Sequence, residues 1–135
     1  MNESVKQYII VRTKYPDNNG GQRKLRTGKL IAQAAHASMA FLTNKIKSSP
    51  DQPIPLTEEE KIWVFDKFTK ITLYVESEEE LLHVYNKAIE NNLTAYLITD
   101  CGLTEFNNVP TNTAIAIGPH YSDKIQPITS HLPLY

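Results

Sequence analysis

The chain of 135 residues has a single cysteine, Cys101, so no internal disulfide can form. That fits a reducing compartment, and the plain expectation for Cys101 is a small buried apolar residue. No apolar run approaches the roughly 18 residues that a membrane span needs. The opening residues MNESVKQ lack the basic-then-apolar pattern of a secretory leader. A cytoplasmic location with no membrane partner is the expectation. There is no zinc-ligand spacing, Walker phosphate loop, GxGxxG, nucleophile elbow or internal repeat. Neither a metal nor a cofactor is therefore expected.

Net charge is almost absent as well, at −1, but its distribution is uneven. Residues 1–50 hold nine Lys/Arg against two acids, and residues 51–135 hold five against thirteen. Six of the basic residues fall between positions 12 and 29: Arg12, Lys14, Arg23, Lys24, Arg26 and Lys29. Such a split points to a polyanionic partner on one face. The plainer alternative is a basic loop that only keeps the fold soluble.

Hydrophobic residues make up 41% and charged residues 21%, which is ordinary for one globular domain. Val5–Arg12 carries the continuous run Ile9, Ile10, Val11 and reads as a strand covered on both faces. Residues 13–26 carry Pro16, Asp17, Asn18, Asn19, Gly20 and Gly21 and read as a long loop. After the proline-rich connector 47–56, Thr57 and Glu60 have the spacing of a capping box. They open a helix whose apolar side is Ile62, Trp63, Phe65 and Phe68. Lys70–Glu76 alternates as a strand. Ser77 and Glu80 form a second capping box, opening a helix to about Asn91; Glu78, Glu79 and Glu80 suit its dipole. Ala95–Thr99 reads as a third strand and Thr113–Ile117 as a fourth, closed by Gly118-Pro119. Ser122 caps a last helix, shortened by Pro127. His131, Leu132, Leu134 and Tyr135 should dock onto the body. The order β-α-(α)-β-α-β-β-α implies a mixed, partly parallel sheet with helices on both faces.

The most informative stretch is 27–42, TGKLIAQAAHASMAFL. It reads as a helix opened by Gly28, with the Thr27 hydroxyl as its cap. Its apolar residues allow most of its circumference to be buried. Lys29, Gln33 and His36 break that pattern at i, i+4 and i+7, in one line on one face. The bland reading of that line is a solvated stripe. Lys29 opposes the helix dipole, but with the free N–H groups of the first turn it makes an anion site. Farther on, Asp100 lies just past a strand end, followed by Gly102 and Thr104, a common way to place polar groups at a site. An Asp that merely bonds turn amides is the alternative.

Taken together, several short motifs resemble the type II peptidyl-tRNA hydrolase family. They are Arg12 at a strand end, Gly28-Lys29-x-x-Ala32-Gln33-x-x-His36-Ala37, Leu97-Ile98-x-Asp100-x-Gly102-x-Thr104, Ile117-Gly118-Pro119 and His131-Leu132-x-Leu134-Tyr135. The resemblance spans nearly the whole chain. It implies one α/β domain over 1–135, a three-layer α/β/α fold with a four-stranded mixed sheet, often dimeric. It also implies hydrolysis of the ester joining a peptide to tRNA, with Lys29, Asp100 and Thr104 at the family's catalytic positions and His36 in support. The substrate, a peptidyl-tRNA, would meet Arg12, Lys24, Arg26 and Gln33. Leu103 and Glu105 depart from the Arg and Gln usual beside the threonine; they motivate the alternative of an RNA- or protein-binding module without turnover.

Overall fold

The computed structural model describes residues 4–102, 106 and 109–135. The elements follow as β1 (Val5–Arg12), β2 (Lys14–Pro16), β3 (Gln22–Lys24), α1 (Thr27–Ser48), α2 (Glu58–Phe65), β4 (Lys70–Val75), α3 (Glu78–Glu90), β5 (Ala95–Asp100), β6 (Thr111–Tyr121) and α4 (Ser122–Thr129). β1 is interior to the sheet, whose order is β4-β1-β6-β5. It pairs in parallel with β4 and antiparallel with β6, which carries β5 antiparallel on its far side.

The unbroken apolar run of β1 follows from cover on both faces. Tyr8 and Ile10 point to one side, where they join Leu73, Val75, Leu81, Val84, Ile115, Ile117 and Ile125, under α3 and α4. Ile9 and Val11 point to the other, where they join Ala37, Ala114 and Ala116, with Leu30 and Ala34, under α1. Alanines on both α1 and β6 let the helix approach the sheet closely. Val5, Phe41 and Trp63 extend that layer beneath α2. The result is the expected three-layer α/β/α arrangement with a mixed four-stranded sheet.

Several local expectations are corrected. Residues 13–26 are not plain loop: β2 and β3 pair as a hairpin, Lys14 opposite Lys24. Asp17 closes it by accepting from the N–H groups of Asn19 and Gly21. Thr27 does not cap α1, because it is already the first helical residue; Arg26 holds the cap position, with no side-chain cap bond. α1 also runs past Leu42 to Ser48. Only part of its circumference is buried, since the sheet covers one side: Ile31 is 64% and Met39 56% exposed.

The Thr57–Glu60 capping box is complete, and Glu60 also pairs with Lys45. Trp63 is buried, but Phe65, the last residue of α2, is 86% exposed and Phe68 is also exposed. At α3 the Ser77 hydroxyl accepts from Glu80 N–H, whereas the Glu80 carboxylate accepts from the Glu76 N–H and the Ser77 hydroxyl instead of the Ser77 main-chain N–H. The second box is thus displaced by one residue. β6 does not stop at Gly118-Pro119. Gly118, at φ +97°, lets the strand shift register, and pairing resumes at His120 and Tyr121. Ser122 is the first residue of α4, not its cap. Cys101 is exposed rather than buried. The C-terminal tail docks as expected, along the free edge of β4: Tyr74 N–H donates to Pro133 and Tyr135 N–H to Thr72.

Candidate active site

β1 and β5 lie on either side of β6 and run in the same direction, so they bring Arg12 and Asp100 to one end of the sheet, beside which α1 begins. Lys29 and Gln33, one helical turn apart, both face Asp100. Lys29 Nζ lies 2.7 Å from Asp100 Oδ2, with side-chain exposures of 19% and 9%. Gln33 Nε2 donates to the same oxygen at 2.9 Å. Gly102 N–H donates to Oδ1 at 2.7 Å.

Gln33 is only 2% exposed, and Thr113 on β6 is fully buried beside it. The Thr113 hydroxyl donates to Gln33 Oε1 at 2.7 Å. That bond turns the amide so that its NH₂ faces Asp100. The carboxylate thus ends a three-residue chain anchored in the core. Gly102 is required where it stands: its φ is +85°, and a Cβ there would come within 2.3 Å of the Val109 carbonyl oxygen. The Lys29 ammonium holds the Asp100 carboxyl below the usual carboxylate range. Partial burial works the other way, and the donors from Gly102 and Gln33 add to the lysine's effect. Asp100 is therefore a carboxylate at neutral pH. Lys29 sits in the first turn of α1, which has no acidic residue to oppose it. Asp100 supplies the missing counter-charge across the gap between helix and strand.

The other predicted residues separate. Arg12 is buried, and its guanidinium is committed: Nε donates to Lys14 O, Nη1 to Asn112 O, and the group stacks 4.4 Å from the Tyr15 ring. It braces the hairpin against β6. Burial pushes the Tyr15 hydroxyl up, and that hydroxyl donates to Arg12 O. Lys24 and Arg26 are exposed beside the start of α1. His36 is exposed, and among the described residues no hydrogen bond or ion pair joins it to the Asp100 cluster. Thr104, with Leu103 and Glu105, lies outside the described residues.

Two cavities lie near the cluster, lined by neighbours of its residues and not by the cluster itself. A cleft of about 650 Å³ between the hairpin and the start of β6 includes Arg12, Tyr15, Arg23, Phe106 and Thr111, the last being the β-partner of Asp100. A groove of about 490 Å³ on the other side includes His36 and Thr99. Thr113 was missed by sequence reasoning. Its contact with Gln33 spans 80 positions, and a threonine at the start of a strand carries no local sign of it. Among the described residues no cluster of His, Cys, Asp and Glu fit to hold a metal is present.

Residues 5–135 match the family described as Peptidyl-tRNA hydrolase PTH2. The chain is 38% identical over 130 residues to a peptidyl-tRNA hydrolase of Methanopyrus kandleri, covering 96% of this chain and 97% of that one. It is 37% identical over 131 residues to a peptidyl-tRNA hydrolase of Methanocaldococcus jannaschii, covering 96% and 99%. A probable peptidyl-tRNA hydrolase 2 of Dictyostelium discoideum is 33% identical over 132 residues, covering 96% of this chain and 54% of that one. Among solved structures, a protein of unknown function from Agrobacterium shares the fold at a TM-score of 0.54 and 11% identity, covering 98% of each chain.

Proposed function

The chain belongs to the peptidyl-tRNA hydrolase PTH2 family, and from that premise we propose that it hydrolyses the ester between a peptide and the 3′ end of tRNA. The products are the N-substituted amino acid or peptide and free tRNA. The observation that carries the reading is the Lys29–Asp100–Gln33–Thr113 chain at the uncapped start of α1.

In this proposal Lys29 and the first N–H groups of α1 stabilise the oxyanion that develops on the ester carbonyl. Asp100 orients the attacking water through Oδ1. Its depressed pKa makes it a weak proton acceptor, so positioning suits it better than deprotonation. Gln33, buried and engaged at both ends, positions Asp100 rather than meeting substrate. Arg12 braces the hairpin, so tRNA phosphates fall to Lys24 and Arg26, with Arg23 nearby. Thr104 remains the candidate for holding the water or the carbonyl, and His36 for a contact away from the reacting atoms. The proposal also includes a cytoplasmic location and a homodimer, the latter supported by the exposed apolar stripe of Ile31 and Met39 on α1. Among the described residues no helix is long and apolar enough to cross a membrane.

The test is release of N-acetyl amino acid from N-acetyl-aminoacyl-tRNA. Wild type should turn over, and Lys29→Ala should lose about a hundredfold or more in kcat, the scale of an oxyanion donor. tRNA affinity should fall steeply between low and high salt. An inert wild type that still binds tRNA would refute the hydrolase reading.

A further inference from the structure

β5 is the last strand of the sheet and pairs with β6 alone among the described strands. Alternate N–H and C=O groups along its outer edge therefore face away from the sheet without a strand partner. Beside that edge runs the groove of about 490 Å³, bounded on α1 by His36, Thr43 and Lys47 and on β5 by Tyr96, Ile98 and Thr99. It begins at the candidate cluster: Thr99 precedes Asp100 in the chain, and His36 follows Gln33 by about one turn of α1. The six residues of β5 give it a length of about 20 Å.

We infer that this groove receives the peptide arm of the substrate, added as a strand to the open edge of β5. The inference rests on the ester hydrolysis proposed above. Three features favour a peptide over the RNA arm. The edge offers alternating main-chain donors and acceptors, which match an extended peptide and not a sugar-phosphate chain. Among the described residues Lys47 is the one lysine or arginine bounding the groove, whereas Arg23, Lys24 and Arg26 lie on the hairpin side of the cluster. An ester has two arms, and with the phosphates on the hairpin side the acyl arm leaves toward the groove. Pairing through the main chain also tolerates any side chain, as a hydrolase of peptides of arbitrary sequence requires.

The test compares steady-state hydrolysis of N-acetyl-aminoacyl-tRNA with that of an N-acetyl-pentapeptidyl-tRNA bearing the same esterified residue. The longer substrate should show a KM about tenfold lower, the scale of one or two main-chain hydrogen bonds, with kcat little changed. Methylating alternate peptide nitrogens, in one of the two registers, should abolish that gain. Asn44→Trp, which fills the groove from an exposed helix position, should abolish it too. Equal KM for the two substrates would overturn the groove assignment while leaving ester hydrolysis standing. No turnover of either would take down both. If Asn44→Trp raised KM equally for both substrates and weakened competition by a peptide-free CCA-ended RNA, the groove would hold RNA and the inference would fail.

Discussion

Asp100 and Glu59 stand at opposite ends of the sheet and are built alike. Each carboxylate is held below its ordinary range although burial pushes the other way. Each takes a lysine, a main-chain N–H and a third polar side chain. For Asp100 these are Lys29, Gly102 and Gln33. For Glu59 they are Lys124, Tyr121 and His120, at 2.5, 2.9 and 3.0 Å. Their surroundings differ. Glu59 ties α2 to the end of β6 and to α4, and His120 Nε2 in turn accepts from Thr94 N–H at 2.8 Å. That network joins four segments at the other end of the sheet and lines neither of the two cavities described, whereas Thr99 and Thr111, the chain neighbour and β-partner of Asp100, line one cavity each. Asp100 ends β5 at the same end of the sheet as Arg12 of β1, next to residues that line a cleft and a groove, and opposite the start of a helix. A depressed carboxylate marks an electrostatic network; only its place at the strand ends beside open space marks a site.

The comparison breaks most sharply under paired substitutions. Asp100→Asn should lower kcat by about a hundredfold or more, far beyond the modest loss of stability, about 1–2 kcal/mol, expected from weakening its own ion pair and hydrogen bonds. Glu59→Gln should leave kcat at room temperature unchanged. It should cost about 1–2 kcal/mol, the scale of lost hydrogen bonds to a charged group, which is roughly 4–8 °C in Tm for a domain of this size. If Asp100→Asn lost only stability, or Glu59→Gln lost only kcat, the two roles would have to be exchanged.

A finer cut concerns the residue behind Asp100. Gln33→Met removes one donor and keeps the volume of the buried side chain. Asp100 should then titrate closer to its ordinary value, so the acid limb of the kcat profile should move to higher pH. The drop in kcat at neutral pH should be about tenfold. A purely structural Gln33 would lower Tm without moving that limb.

The smallest effect is the acid dependence of the latch. A carboxylate with a lowered folded pKa contributes stability above its unfolded value that is lost as pH falls through the folded one. For Glu59 the loss should begin near pH 4.5 and grow below it. Between pH 6 and pH 3.5 the Tm of wild type should therefore fall further than that of Glu59→Gln, by a few degrees. Parallel curves would show that Glu59 is not a source of acid lability.

Some of this was written locally in the chain. The continuous apolar run Ile9–Val11 implied a strand covered on both faces, because a one-sided strand alternates. The Thr57–Glu60 box specified a helix start through its own side chains. Asp100-x-Gly102 specified a turn, because the carboxylate reaches an N–H two residues on and only glycine takes the required φ. The line Lys29–Gln33 was equally plain from helical spacing. Which way that line faced was not. It points inward to Asp100 and Thr113, while Ile31 and Met39 face out, since the sheet that decides this is assembled from strands dozens of residues away. The same holds for the hairpin braced by Arg12, for β6 continuing past Gly118-Pro119 because β1 is there to pair with it, and for the Glu59–His120 latch. Local hydrogen bonds and periodicity are properties of a few neighbouring residues. A partner 61 or 80 positions away is chosen only when the layers close.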